Sequence, residues 1–228
     1  MAIAVSELLE EEAVAISCDA LQVYEGLGTL TGVATPAERE KLEHRLVEFV
    51  SVTQPFSVGD YMSLAHAEID GALGAGRRPI VVGGTGLYLR AALAELSLVK
   101  VPPGTEDSEL WSEETRHPTL TVGLNMERHL LYEQIDARTE AIVVGGAAEE
   151  VRRAEEAGPS RTARKALGFD ELLGGDIERM KRRSRNYARR QLTWMRKMPN
   201  VHRIDRTGRT DEDVAAEIVA ALSASGEF

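Results

Sequence analysis

Arg78–Leu96 constrains this chain more than any other stretch. Arg78–Val82 (RPIVV) is a short apolar run, Gly83-Gly84-Thr85-Gly86 is a turn with three glycines, and Leu87–Leu96 is an apolar stretch of helical length. Strand, glycine turn and helix in direct succession form half of a βαβ unit, which commits the chain to a parallel sheet with helices on its faces. A run this apolar predicts a strand buried on both faces. The turn leaves backbone N–H groups and a helix N-terminus facing one point, which reads either as an anion site or as a plain tight turn. It is not a G-x-G-x-x-G fingerprint, and no G-x-x-x-x-G-K-[ST] occurs in the chain.

A second run, Ala13–Ser17 (AVAIS), has the same character and leads through Cys18 into Asp19, Gln22 and Tyr24. Reactive groups in open α/β sheets collect just past the C-terminal ends of strands. Asp19 therefore reads as a general base, as the holder of a metal-bound water, or as the cap of the next turn. Cys18 is the single cysteine, so there is no internal disulfide; its apolar neighbours mark it as a small buried residue, and the reading is a reducing cytoplasm.

Other elements follow from caps and periodicity. Ala2–Glu12 reads as the tail of an amphipathic helix, Gly26–Gly32 as a loop, Pro36–Leu46 as a helix capped by Thr35, and Glu48–Val52 as a short strand. Ser57–Ala75 is a helix with Ser57 as cap, and Thr119–Leu124 is a strand. Glu127–Val144, Ala147–Ala157, Ala163–Leu173 and Asp211–Leu222 are helices, and Val201–Ile204 is a last strand. Lys100–Pro118 lacks periodicity and reads as a linker. The expected division is an α/β part over 1–99, the linker over 100–118, and the rest of the core with a basic helix over 119–228. No apolar run reaches the roughly 18 residues of a membrane span, and a monomer is expected.

Charge singles out Ile177–Met198. The chain has net charge −10, yet Arg179–Arg209 carries twelve Lys or Arg residues and the single acid Asp205. A basic block in an acidic protein reads as a footprint for a polyanion, or as a solvated helix face. Met180, Tyr187, Gln191, Trp194 and Met198 share one face at spacings of 7, 4, 3 and 4. Tyr187 belongs to the buried side of that face, whereas Trp194 stays open between packing and base stacking. His44, His66, His117, His129 and His202 are scattered without metal-ligand spacing.

Taken together, ISCDALQVYEG (16–26), Glu43–Val47, RRPIVVGGTGLYLRAAL (77–93), Arg138, Glu150–Arg152, Ala163–Phe169 and Tyr187–Arg196 resemble, in colinear order, the tRNA dimethylallyltransferases. The resemblance implies a P-loop-NTPase-like parallel sheet flanked by helices. It implies transfer of a dimethylallyl group from its diphosphate to N6 of adenosine 37 beside the tRNA anticodon, with Mg²⁺ assisting. By the same resemblance Asp19 is the base and Thr85 touches the departing diphosphate, with Gly83, Gly84, Gly86 and Arg138 around it. Asp19, Ala20, Leu21, Gln22, Arg164, Lys165, Gly168, Phe169, Arg189, Arg190, Gln191, Thr193, Trp194 and Arg196 are the implied contacts to tRNA. The sequence departs from the family pattern in three places. The P-loop and its lysine are not in it, Leu30–Val33 stands where the family has G-T-A-K, and the helical insertion is reduced to the linker. An N-terminally truncated sheet lacking one strand is therefore expected, with a non-catalytic tRNA-binding remnant as the alternative function. A small nucleotide kinase is a further alternative, against which the missing Walker lysine counts.

Overall fold

A computed structural model describes residues 1–97 and 109–226. The elements in chain order are α1 (Ala2–Ser6), β1 (Ala13–Ser17), α2 (Gly28–Thr31), α3 (Pro36–Lys41), β2 (His44–Arg45), α4 (Val58–Gly74), β3 (Arg78–Val82) and α5 (Gly86–Leu93). After a 3₁₀ turn at Glu109–Trp111 come β4 (Thr121–Asn125), α6 (Arg128–Val144) and α7 (Ala147–Ala157). A second 3₁₀ turn, Ala163–Lys165, precedes α8 (Phe169–Leu173), α9 (Ile177–Lys197), β5 (Val201–Asp205) and α10 (Asp211–Ser225). Thr35, Ser57 and Thr210 start α3, α4 and α10 with reciprocal capping boxes to Glu38, Asp60 and Asp213.

The described strands form two parallel sheets, β2-β1-β3 and β4-β5. β1 is buried throughout, whereas β3 is half-buried and Val82 is 42% exposed. That corrects the expectation that β3 is covered on both faces. Arg78 N–H donates to Glu12 C=O and Val82 C=O accepts from Cys18 N–H, each at 2.8 Å. Parallel ladders alternate, so Arg78, Ile80 and Val82 serve β1 while Pro79 and Val81 turn to the other edge. Pro79, lacking an N–H, costs the β1 ladder nothing there. β3 and β4 both line a cavity of about 1070 Å³ instead of pairing with each other.

Further elements differ from the sequence reading. The strand expected at 48–52 is absent: Leu46 and Glu48 have φ of 59° and 49°, and only Val50 makes a bridge, to Tyr24. Pairing with β1 falls instead on His44–Arg45. α1 stops at Ser6, well short of Glu12. The expected Gly26–Gly32 loop contains the one-turn α2. Ala163–Leu173 divides into two turns because Gly168 sits at φ 102°, where a helix cannot continue. Residues 100–108 of the expected linker lie outside the described residues. Its end is tied to α4, where Arg116 and His117 bond the Asp70 carboxylate at 2.8 and 2.7 Å and lower its pKa to about 2.

The core has two main parts. Ile16 and Cys18 pack with Tyr61, Ala65 and Ile69 of α4 and with Tyr88, Ala91 and Ala92 of α5. Val23, Tyr24, Leu27 and Leu30 pack with Val151, Phe169 and Met180 from α7, α8 and α9. A buried ion pair fixes α8 to α9: Arg183 Nη1 donates to both Glu171 oxygens at 2.6 and 2.7 Å, and Arg179 lies 3.2 Å away. Burial pushes the Glu171 carboxyl up, but the two guanidinium groups hold it below its usual range. Glu171→Ala should destabilise the fold by about 2–3 kcal/mol. This is below the 3–5 kcal/mol of a fully buried pair, because Arg183 remains 41% exposed. Urea unfolding of the two proteins measures it, and an unchanged midpoint would show that α8 and α9 are held by apolar packing alone.

Candidate active site

Asp19 stands where β1 ends, and a chain of bonds holds it there. Its own N–H donates to Ser17 Oγ at 3.3 Å, and its Oδ1 accepts the Leu21 N–H at 2.8 Å. The Ser17 hydroxyl donates to Gln22 Oε1 at 2.9 Å, and Gln22 Nε2 donates to Gly32 C=O at 3.1 Å. Tyr61 fixes the strand end from below, donating to Ser17 C=O at 3.0 Å. Asp19 thus caps its turn and also borders the cavity. Burial pushes its carboxyl above the usual range, against the Leu21 and Gln22 N–H groups and the charge of Arg138, which pull it down. A carboxylate with a raised pKa is a stronger base than an exposed one. Beneath it, Cys18 is buried and its thiol is pushed up by burial and by the Asp19 charge, so it stays protonated and inert.

The Gly83–Gly86 turn meets Asp19 because β3 lies beside β1. None of these glycines has a positive φ; each makes room for a neighbour. A Cβ on Gly83 would lie 2.7–2.9 Å from Cys18 Sγ, carbonyl carbon and oxygen. A Cβ on Gly84 would strike the Gln191 amide, and one on Gly86 the Trp194 ring. The room in this turn is thus used by the protein itself. Thr85 occupies the N-cap position of α5 but its side chain does not cap the helix.

α9 closes the site with the face that the spacing marked out. Tyr187 OH lies 3.3 Å from Thr85 Oγ1, and Gln191 Nε2 donates to Gly84 C=O at 3.1 Å. Trp194 rests on Gly86 and against Trp111, ring centroids 4.9 Å apart and inclined at 46°. Packing accounts for the position of this indole. Tyr187 is the site residue that sequence reasoning missed; its place in the period marked it as core, and nothing local showed that its hydroxyl reaches Thr85.

The remaining expected residues fall into two groups. Arg138 on α6 lies against Gly32, and Lys165 and Arg190 line the same cavity as Asp19, Leu21 and Gln22. Ala20 offers its N–H to Thr85 Oγ1 at 3.5 Å. Away from the cavity, Phe169 is fully buried and Gly168 makes the turn before it. Arg164 lies over the Phe169 ring and pairs with Glu155 and Asp170. Arg189, Thr193 and Arg196 are exposed on the outer side of α9, with Arg189 bonded to Asn186 and the Thr193 hydroxyl to Arg189 C=O.

The basic block is not uniform. Lys181 pairs with Glu140 and Glu178, Arg183 with Glu171, and Arg185 with Asp136. Arg189, Arg190, Arg196 and Lys197 have no acid within salt-bridge distance among the described residues. Apart from the exposed Arg182, the first half of α9 therefore pairs with acids of α6, α8 and α9 itself, and the second half presents net positive charge beside the site. No group of three or more His, Cys, Asp or Glu residues suited to a metal occurs among the described residues.

Comparison with known proteins places this geometry. A family model described as IPP transferase matches residues 22–117 and 104–198. The tRNA dimethylallyltransferase of Thermobifida fusca (strain YX) is 30% identical over 250 residues, covering 82% of this chain and 78% of that protein. The tRNA dimethylallyltransferase of Lactococcus lactis subsp. lactis (strain IL1403) is 31% identical over 242 residues, covering 82% and 81%. The crystal structure of the full-length tRNA isopentenylpyrophosphate transferase from Bacillus halodurans superposes with a TM-score of 0.85 at 25% identity, over 98% of this chain and 90% of that one. A eukaryotic dimethylallyltransferase solved acting on tRNA has the same fold, with a TM-score of 0.78 at 20% identity over 96% and 74%.

Proposed function

The chain belongs to the IPP transferase family, and on that premise we propose that Asp19 and Thr85 carry the transfer of a dimethylallyl group from dimethylallyl diphosphate to N6 of adenosine 37 in tRNA. The observation that carries this reading is the meeting of two strand ends. A half-buried carboxylate with a raised pKa faces a cavity beside a hydroxyl-bearing turn, and the basic half of α9 flanks both. The N6 amine attacks C1 of the dimethylallyl group, the C1–O bond breaks, and the electron pair leaves with the diphosphate. Asp19 takes the proton that N6 loses. Arg138, which lines the cavity, supplies positive charge on the side where the diphosphate leaves, and the Thr85 hydroxyl, beside Ala20 N–H, is the neutral donor of the turn. A non-catalytic remnant is not favoured, since the relatives are named for the transfer.

Mg²⁺ fits this site only as a partner of the diphosphate. Asp19 alone does not make a protein cage, and Mg²⁺ commonly keeps its waters and binds through phosphate oxygens. Bound there, it would neutralise the leaving group. No helix of the described residues is long and apolar enough to cross a membrane.

The test is incubation with unmodified tRNA, labelled dimethylallyl diphosphate and Mg²⁺, with label expected on an adenine N6; its absence would overturn the assignment. The tRNA surface has its own test. Arg189→Ala and Arg190→Ala should each weaken tRNA binding and reduce the slope of log K against log salt by about 1. Arg185→Ala, whose charge is committed to Asp136 at 2.6 Å, should leave that slope unchanged. Equal slopes for all three would remove α9 from the interface.

A further inference from the structure

A threonine hydroxyl has one proton to give and two lone pairs with which to accept. Thr85 sits at a helix N-cap, where such a hydroxyl ordinarily accepts from the first turn, yet it makes no capping bond. Two other groups surround its oxygen. Ala20 N–H points to Oγ1 at 3.5 Å, and Tyr187 OH lies at 3.3 Å. Ala20 N–H can only donate. Within the hydroxyl pair the phenol is the more acidic group and hence the better donor. Gln191, one turn along α9, donates its amide Nε2–H to Gly84 C=O at 3.1 Å and so holds α9 against the turn. Burial pushes the Tyr187 phenol above its ordinary pKa, so it keeps its proton through the neutral range.

We propose that Tyr187 is a positioning residue that fills the second acceptor site of Thr85 and thereby commits the Thr85 proton to the departing diphosphate. With both lone pairs engaged, the Thr85 O–H has no acceptor left among these neighbours and is free for the leaving group. The order is Tyr187 O–H to Thr85, and Thr85 O–H to an oxygen of the leaving group. No proton is transferred along it; the chain orients one donor before charge develops, which is how a fixed hydrogen bond contributes more than a freely rotating one. The same geometry argues that Thr85 is not a metal ligand, because its lone pairs are taken. This inference rests on the transfer reading above and extends it to a residue on a different element, 102 positions from Thr85.

The experiment is a double-mutant cycle on the full chain with Tyr187→Phe, Thr85→Val and the pair. Tyr187→Phe keeps the ring, so α9 stays packed. It should lower kcat about tenfold with KM for tRNA unchanged, against about 10²-fold for Thr85→Val. In the Thr85→Val background, Tyr187→Phe should have no further effect. Additive losses, or a rise in KM with kcat unchanged, would overturn the relay and leave the transfer reading intact. A second measurement is independent of turnover: calorimetric binding of inorganic diphosphate should weaken in both single variants and no further in the double. If the unaltered chain shows this coupling but no label transfer, the relay stands and the transfer reading fails. If it neither transfers label nor binds diphosphate, both fail.

Discussion

Asp19→Asn will lower the rate of dimethylallyl transfer by about 10²–10⁴-fold, the range that one well-placed general base supplies. tRNA binding should be nearly unchanged, because the positive charge lies on α9 and not at Asp19. The residual rate should also lose its pH dependence on the acid side. In the unaltered protein the rate falls as Asp19 is protonated, at a pH above the ordinary carboxylate range because burial raises its pKa. Stability moves in the opposite sense. A carboxyl whose folded pKa exceeds its unfolded one binds protons more tightly in the fold. Its stabilising contribution is full below the unfolded pKa and is lost as pH rises through the folded pKa. At neutral pH, Asp19→Asn should therefore raise the melting temperature, and at pH below the unfolded value the difference should vanish. A lower melting temperature at neutral pH would mean that the bond to Leu21 N–H, at 2.8 Å, outweighs the burial of the charge. A rate within tenfold of the unaltered protein would assign the base elsewhere.

Gly83→Ala will be the most damaging single methyl in the turn. The added carbon would sit 2.8 Å from the Cys18 carbonyl carbon and 2.9 Å from its oxygen. Backbone cannot swing away as a side chain can, and this backbone is held by the 2.8 Å bond from Cys18 N–H to Val82 C=O. The ends of β1 and β3 must part, at a cost of about 3 kcal/mol, the upper part of the usual range for overpacking. Asp19 is the next residue, so activity should fall with it. Gly84→Ala provides the comparison. Its carbon meets the end of the Gln191 side chain, which can rotate aside and lose one bond worth about 1 kcal/mol. Urea midpoints of the two variants measure the contrast, and equal shifts would show that the turn yields as a whole.

Much of this architecture was legible in short windows. Apolar runs located β1 and β3, the caps Thr35 and Ser57 located α3 and α4, and the period of α9 named the residues that meet the turn. Misreadings arose where local preference was overridden. Glu48–Val52 has strand composition, but Leu46 and Glu48 in left-handed conformation turn the chain, and β1 takes His44–Arg45 as its neighbour instead. Arg78–Val82 reads as doubly buried, but burial depends on what lies across the other edge, and there a cavity lies between β3 and β4.

The sequence by itself determined most of the longer elements and the two strand-end motifs, because caps, glycines and periodicities act within a few residues of one another, and its colinear blocks carried the family resemblance. Tertiary structure decided which groups share the site. It set Thr85 beside Ala20 across 65 positions and beside Tyr187 across 102, and it tied Arg185 to Asp136 across 49 while leaving Arg189 and Arg190 unpaired among the described residues. Spacing along the chain carries no record of such meetings. They exist only once the strands and helices have packed, since hydrogen bonds and ion pairs act over a few ångströms of space, whatever the separation in sequence.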